Sequence, residues 1–208
     1  SLNDPLNFKY AGKTYKDEFL KAQQKTQMED CWLIGQGKMD NIHVCIISQN
    51  FKFLGGSIGA SGAEGFIKAC EYAYENNCPL ICFISSGGAR VMENMHALQS
   101  LPKMQSGLLI LKDSNIPYIV VCTHPSTGGV QASIGSLGTI TLAEPGATIG
   151  FAGARVISQN SPEHEFPEDF QKSSSLLRHG MIDMIVHRHD LKAKISQILR
   201  LLLKRHAA

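Results

Sequence analysis

The fold is decided by PLICFISSGGAR at residues 79–90 and by PYIVVCTHPSTGG at residues 117–129. Each stretch is an apolar run of about six residues that leads directly into a pair of glycines and then into a helical pattern. Continuous apolar runs are typical of parallel strands that are buried on both faces, and the helix that follows completes a βαβ unit. The repeated pattern predicts an α/β domain.

The glycine pairs Gly87-Gly88 and Gly128-Gly129 are the candidate functional residues. Glycine gives the backbone special dihedral angles and allows a ligand to approach closely. The N–H groups at the start of the next helix have no intrahelical acceptor and carry the positive end of its dipole. Two such turns facing one cleft could hold the oxygen of a polarised carbonyl, as an oxyanion hole does. The alternative is that both pairs are tight βα turns that use glycine for helix packing.

Several blocks, taken in chain order, resemble the carboxyltransferase beta subunit of bacterial and plastid acetyl-CoA carboxylase. The resemblance extends from about Asp4 to Leu203 and implies the crotonase-like (ClpP/crotonase) α/β fold of repeated ββα units. We expect one domain over residues 1–208, with residues 1–30 as an N-terminal arm. The matching blocks are residues 53–59, 86–90, 126–130, 143–145, 150–157 and 179–186.

The resemblance implies transfer of a carboxyl group from carboxybiotin to acetyl-CoA, which gives malonyl-CoA in the first step of fatty acid synthesis. In the superfamily, two peptide N–H groups hold the thioester oxygen, one from the turn that resembles Ser86-Gly87-Gly88-Ala89 and one from the turn that resembles Thr127-Gly128-Gly129. Proton removal from the methyl carbon creates an enolate, which gains most from such donors. Biotin itself is thought to be the base, so the resemblance requires no catalytic acid or base side chain.

Four further residues are predicted to bind the substrate, namely Gly55, Gly56, Arg90 and Thr127. Arg90 could hold the CoA phosphates, or it could shape the turn through a structural salt bridge. The glycine-rich stretch from Gly55 to Gly62 is not a nucleotide loop, because no Gly-Lys-Ser/Thr follows it and no Gly-x-Gly-x-x-Gly unit with a downstream acid is present.

Two rival enzyme classes and one candidate general base fit less well. Crotonase-type hydratases have a glutamate two residues after the second glycine pair, where this chain has Gln131, and their second glutamate falls near Gly153. A serine hydrolase would need a Gly-x-Ser-x-Gly turn, which does not surround Ser85 or Ser86. His124 could be a general base, but it has no evident acid partner in the sequence.

Two departures from the family pattern keep other functions open. They are Val91-Met92-Glu93, where Met-Gln-Glu is common, and Ala60-Ser61-Gly62-Ala63, where Ser-Val-Val-Gly is usual. The chain could therefore be a specialised paralogue, a biotin-independent decarboxylase of malonyl thioesters or a non-catalytic assembly subunit.

The resemblance implies that a separate alpha subunit supplies the biotin side of the site in a heterotetramer, while biotin arrives on a carrier protein. We expect a CoA thioester as substrate, and no metal, attached biotin, nucleic acid or membrane partner in this chain. Family members usually carry an N-terminal four-cysteine zinc ribbon ahead of the segment resembling Asp4-Pro5-Leu6. Only three residues precede that segment, so the chain is either truncated or a natural form without the ribbon.

Composition supports these expectations. The chain has 208 residues, a hydrophobic content of 43% and a net charge of +2, which is too small to indicate nucleic acid binding. No apolar run approaches the roughly 20 residues of a membrane span, and we expect a cytoplasmic location, or the plastid stroma in a plant. The six cysteines contain no Cys-x-x-Cys pair and are predicted to be reduced and buried.

Local patterns predict the remaining elements. A helix is expected over residues 16–26, an antiparallel ribbon over 31–36 and 43–49, a helix after Gly65, and short strands near 139–142 and 147–149. The apolar stripe from Val91 to Leu108 predicts a mostly buried helix that Pro102 kinks or divides. Residues 158–172 are predicted to form a mobile loop, and a strand over 182–186 should precede a C-terminal helix.

Overall fold

The two apolar stretches form neighbouring parallel strands near the centre of a seven-stranded sheet. The structure is a computed structural model and describes residues 7–10, 12–152, 156–157, 159 and 166–204. Strand β5 spans Leu80–Ser86 and strand β6 spans Tyr118–Thr127, with Leu80 opposite Tyr118 in the register. The predicted buried strands are confirmed, and both end at their glycine pairs on the same edge of the sheet.

The remaining strands extend this sheet on both sides. Strands β3 (Trp32–Met39) and β4 (Ile42–Gln49) pair antiparallel, and β4 then pairs parallel with β5. Asp40 and Asn41 turn between β3 and β4 with φ of 46° and 67°, the left-handed values of a tight hairpin. The predicted ribbon is therefore confirmed. Parallel pairing also joins β6 to β7 (Ile140–Ala143) and β8 (Ile149–Gly150), and β7 to β9 (Met184–Ile185).

Helices pack on the sheet and connect its strands. A two-strand pair, β1 (Lys9–Tyr10) with β2 (Lys13–Thr14), precedes the first of them. The helices are α1 (Tyr15–Thr26), α2 (Ala60–Glu75), α3 (Met95–Asp113), α4 (Gly128–Val130), α5 (Ser173–Arg178) and α6 (Leu191–Lys204). Short 3₁₀ turns lie at Leu54–Gly56, Val91–Glu93 and Arg188–Asp190, and a π-helical turn at Gln131–Gly135 continues α4.

Side chains alternate along the central strands and build a core on each face of the sheet. In β5, Leu80 and Cys82 belong to the core that includes Phe66 of α2, whereas Ile81 belongs to the core that includes Ile195 of α6. This alternation follows from the two-residue period of a strand. The central strands are therefore covered on both faces, as their continuous apolar sequences predicted.

Pro102 and the apolar stripe of α3 each differ in part from expectation. Pro102 lies inside α3 without dividing it, and the chain instead breaks at Asn94, whose φ is 48°. The N-terminal part of the apolar stripe is exposed, with Val91 at 64%, Met95 at 60% and Leu98 at 53%, while Met104 is fully buried. A helical stripe indicates which residues share a face, but not whether another element of the same chain covers it. Residues 158 and 160–165 of the predicted mobile loop lie outside the described residues.

The six cysteines are free and buried, as predicted. Burial raises the pKa of Cys45 to about 11 and that of Cys70 to about 12, because a thiolate is poorly solvated in the core. A raised pKa in the folded state favours folding below the thiol's ordinary pKa, and that contribution is lost as the pH rises towards 11–12.

We therefore expect the native chain to react slowly with an aromatic disulfide reagent at pH 8, and all six thiols to react promptly in urea. Counting the released chromophore with and without urea measures this difference. Rapid labelling of even one thiol in the native chain would contradict the burial described above.

Candidate active site

The two predicted glycine turns are in direct contact. The first glycine turn is Ser86–Ala89 at the end of β5, and the second is Thr127–Gly129 at the end of β6. Gly88 has φ of 115° and Gly128 has φ of 75°. A Cβ atom on Gly128 would lie 2.8 Å from both the Gly87 carbonyl oxygen and the Gly88 Cα. Any side chain at Gly128 would therefore separate the turns.

Hydrogen bonds fix the shape of the first glycine turn. The Gly87 N–H donates to the Gly55 carbonyl at 2.9 Å, and the Gly88 N–H donates to the Ser86 Oγ at 3.0 Å. The Gly88 carbonyl in turn accepts from the Ile58 N–H at 3.0 Å. Within the part of the chain that the structure describes, the N–H of Ala89 has no acceptor. In this conformation, Ala89 offers the donor that the first turn leaves available.

The second glycine turn is tied to the first by side chains at the end of β6. The Thr127 hydroxyl donates to the Ser86 carbonyl at 3.1 Å, and the Ser126 hydroxyl donates to the Ile84 carbonyl at 3.0 Å. The N–H of Gly129 lies in the first turn of α4, where intrahelical acceptors are lacking. The predicted role of Thr127 in substrate binding stays a prediction, while its observed contact joins the two turns.

Gly55 and Gly56 support the first glycine turn from the preceding 3₁₀ turn. The Gly56 carbonyl accepts from the Gln49 Nε2 at 2.6 Å and from the Ser86 hydroxyl at 2.7 Å. A Cβ atom on Gly56 would overlap the Ser85 carbonyl oxygen, whereas one on Gly55 would meet open space. Both glycines have positive φ. Their observed contacts are with the turn, and their contact with a substrate stays a prediction.

Arg90 follows the first glycine turn and is fully buried. Its guanidinium donates to both oxygens of Asp30, to the Ser57 carbonyl at 2.7 Å and to the Tyr15 hydroxyl at 2.9 Å. Glu93 forms a second ion pair at 3.4 Å. With its nitrogens directed into the core, Arg90 is not presented to a CoA phosphate. Of the two roles considered for Arg90, these contacts favour the shaping of the turn.

The other polar candidates have local partners. The His124 Nδ1 accepts from the Thr148 N–H at 3.2 Å, and the Gln131 side chain lies 3.4 Å from the Cys122 thiol. Glu144 pairs with Arg188, with Oε2 at 2.8 Å from Nη2, and Asp183 accepts from the Thr141 N–H at 2.7 Å. Gly153 and Arg155 lie outside the described residues. No pair of these residues forms an acid–base couple in the described structure.

Sequence reasoning missed the part that Gln49 and Asp30 play in holding the turns, and it indicated Tyr15 only as an anchor on the main body. Gln49 lies at the end of β4, and Tyr15 and Asp30 precede β3, so all three are distant in sequence from the turns. Their residue types alone give no signal for this role. Glu93 was the one partner with a local signal, because it lies three residues after Arg90 and could have been read as its ion-pair partner.

Neither a metal-binding cluster nor a membrane-spanning helix occurs among the described residues. Across the ranges that the structure describes, no group of three or more His, Cys, Asp or Glu side chains could hold a metal ion. In the same part of the chain, no helix combines the length and apolar character that crossing a bilayer requires.

Solved structures share this architecture. The 12S transcarboxylase structure with bound methylmalonyl-coenzyme A superimposes with a TM-score of 0.73 at 24% identity, over 81% of this chain and 33% of that one. The Pseudomonas malonate decarboxylase MdcD–MdcE heterodimer gives 0.72 at 20% identity, over 95% and 81%. At these identities the comparison defines the fold alone, and that fold is the predicted crotonase fold.

Sequence comparison places the chain more narrowly. Residues 3–206 match the carboxyl transferase domain, and the chain belongs to that family. Acetyl-coenzyme A carboxylase carboxyl transferase subunit beta of Rhodopseudomonas palustris strain BisB18 is 47% identical over 201 residues, covering 97% of this chain and 60% of that protein. The same subunit of Rhizobium meliloti strain 1021 is 45% identical over 98% of this chain and 66% of that protein. The chain thus spans about three-fifths to two-thirds of their length.

Proposed function

We propose that this chain is the acyl-CoA half-site of an acetyl-CoA carboxylase carboxyltransferase, and that it takes part in carboxyl transfer from carboxybiotin to acetyl-CoA. The observation that carries the proposal is the contact between the two glycine turns at Gly88 and Gly128. The identity of 44–47% to named beta subunits supports the choice of acetyl-CoA as the acceptor.

The chain's own residues account for the thioester side of the reaction. The contact between Gly88 and Gly128 places the two turns side by side at one edge of the sheet, and the glycines carry no side chains that would stand between a thioester and their backbone. The Gly129 N–H, and a donor from the first glycine turn, would stabilise the negative oxygen that forms when the methyl carbon loses its proton. Such donors gain most from charge that develops in the transition state, so they lower the barrier more than they tighten binding.

The remaining components of the reaction belong to the same proposal. Carboxybiotin, when bound, supplies the carboxyl group, and we assign it to a separate carrier protein and to an alpha subunit that completes the site in a heterotetramer. The described residues beside the turns include no acid–base couple, which is consistent with proton transfer to a group outside this chain. We place the assembly in the cytoplasm, or in the plastid stroma in a plant.

The reverse half-reaction tests the proposal. We expect the chain mixed with its cognate alpha subunit to carboxylate a soluble biotin derivative at the expense of malonyl-CoA. Each component alone should show little turnover, because the site needs both. The measurement is the release of acetyl-CoA that depends on biotin.

Two results would overturn this assignment. Consumption of malonyl-CoA without biotin would identify a malonyl-thioester decarboxylase. Absence of turnover in the mixture, with an intact complex on gel filtration, would identify an assembly subunit. A matched control is the mixture with biotin omitted, which measures spontaneous loss of the carboxyl group.

A further inference from the structure

A buried charge cluster lies directly behind the first glycine turn. It consists of Arg90, Asp30, Glu93 and Tyr15, and the Arg90 guanidinium also lies 5.3 Å from the ring centre of Phe19. Arg90 is fully buried, and Glu93 and Tyr15 are each 1% exposed. Charges removed from water to this extent persist only where partners satisfy them, so every member of the cluster constrains the others.

The cluster is joined to the first glycine turn through Ser57 and Ile58. The Arg90 backbone N–H donates to the Ile58 carbonyl at 2.8 Å, while its side chain donates to the Ser57 carbonyl at 2.7 Å. The Ile58 N–H donates to the Gly88 carbonyl at 3.0 Å. Arg90 therefore hydrogen-bonds to both Ser57 and Ile58. Ile58 in turn holds Gly88, the residue that contacts Gly128.

Glu93 extends the same cluster to the start of α2. Its carboxylate lies over Gly59 and accepts from the Ala60 N–H at 2.7 Å, and a Cβ on Gly59 would overlap it. The carboxylate thus caps the positive end of the helix, where Gly59 has no side chain to do so. Glu93 is therefore held at the start of α2 as well as by Arg90, and its carboxylate accepts from the Tyr15 hydroxyl.

The remaining partners, Tyr15 and Asp30, come from the N-terminal arm. The Tyr15 hydroxyl donates to Glu93 and accepts from Arg90 at 2.9 Å, and the Asp30 carboxylate receives two guanidinium nitrogens. Neither residue contacts the glycine turns directly. Removal of either would release one side of the guanidinium without altering the turn sequence.

We propose that Tyr15 and Asp30 are positioning residues, which act through Arg90 to hold the first glycine turn at the geometry required for the thioester. The positioning of the first glycine turn by Tyr15 and Asp30 does not depend on which reaction the chain takes part in. The effect of that positioning on turnover rests on the proposed function. The two parts can therefore be tested separately.

The experiment compares Tyr15→Phe with Tyr118→Phe. Both variants remove one buried hydroxyl, and the Tyr118 hydroxyl donates to the Ile134 carbonyl at 3.2 Å, in the π-helical turn that continues α4 rather than in the cluster behind the first glycine turn. Amide hydrogen exchange at Gly87 and Gly88, measured by NMR, reports local opening of the first glycine turn. We expect about tenfold faster exchange in Tyr15→Phe and no such change in Tyr118→Phe when both are compared with the unchanged chain.

Kinetics then test the consequence in the complex with the alpha subunit. Tyr15→Phe should lower kcat about tenfold while KM for malonyl-CoA stays within about twofold, because the turn acts mainly in the transition state. Asp30→Asn, which keeps the shape of the side chain, should likewise speed amide exchange at Gly87 and Gly88 and lower kcat. Tyr118→Phe should keep kcat.

Amide exchange tests whether the turn is held, and kcat tests whether that matters for turnover. Equal exchange at Gly87 and Gly88 in the two tyrosine variants would show that Tyr15 does not hold the first glycine turn, and it would leave the cluster as ordinary core packing. Faster exchange with unchanged kcat would overturn the positioning role. If the unchanged complex shows no turnover, the proposed function fails, and the exchange comparison still decides whether the arm holds the turn.

Discussion

Gly128→Ala should lower carboxyl transfer by about a hundredfold to a thousandfold, the range seen when one oxyanion donor is lost. The added methyl group would lie 2.8 Å from the Gly87 carbonyl oxygen and the Gly88 Cα, both of them backbone atoms that cannot rotate away. The two glycine turns must then separate, and any site built from both loses its geometry. Turnover of malonyl-CoA with biotin, measured in the complex with the alpha subunit, gives the effect.

Gly180→Ala is the matched control. Gly180 has φ of 68°, close to the 75° of Gly128, but a Cβ there would meet no atom within 4 Å. Both variants carry the strain of a left-handed alanine, about 1 kcal/mol, and only Gly128→Ala displaces a turn. Turnover in Gly128→Ala within threefold of that in Gly180→Ala would show that contact between the turns is not needed.

A second pair at Gly129 separates the N–H donor from steric effects. Gly129→Pro removes the N–H, whereas Gly129→Ala keeps it and presses only on the end of the Leu101 side chain. We expect Gly129→Pro to lose turnover while part of its affinity for a CoA thioester survives, and Gly129→Ala to lose far less. Equal losses in the two variants would argue against a role for this N–H.

The central sheet could be predicted from sequence because its strands are continuous apolar runs with glycines at their ends. The apolar runs at residues 80–84 and 118–122 fit few structures other than buried parallel strands. Asp40-Asn41 between two strand patterns likewise fits few structures other than a tight hairpin. The C-terminal helix was equally clear, because Leu191, Ile195 and Leu199 repeat at helical spacing and do pack on the sheet.

Other features depended on tertiary contacts that no local pattern records. Pro102 is tolerated inside α3 because only one backbone bond is lost, while Met104 and Leu111 anchor the helix in the core. The helix α5 was missed because residues 173–175 are three serines, which have no apolar period of their own. The π-helical turn after Val130 likewise has no sequence signature.

The candidate site was likewise predictable from sequence in some features and not in others. Glycine pairs at two strand ends were visible in the sequence, and the parallel sheet brought them to one edge. Whether they touched depended on the register between β5 and β6, which shifts between Ile84 and Ser86. Arg90 was also visible, but its orientation was set by Asp30 and Tyr15, more than fifty residues away in sequence. Sequence alone therefore left its two roles open.

The second large effect concerns stability. Arg90→Met should lower the free energy of unfolding by about 3–5 kcal/mol, the cost of breaking a buried ion pair by removing one partner. Methionine can fill the space between Phe19 and Phe53, but it leaves the buried Glu93 carboxylate and the Asp30 carboxylate without their cation. For a domain with a stability of about 5–15 kcal/mol, this loss is a large fraction of the total. Urea unfolding at pH 7, followed by circular dichroism, measures it.

Arg178→Met is the matched control, because Arg178 pairs with Asp169 on the surface and its side chain is 61% exposed. Water already solvates both of those charges, so the urea midpoint should hardly move. Adding Asp30→Asn to Arg90→Met should restore part of the lost stability, because one of the unpaired carboxylates is then gone. An Arg90→Met midpoint equal to that of Arg178→Met would mean that the cluster behind the first glycine turn contributes little to folding. The arm would then have no energetic means of holding the turn.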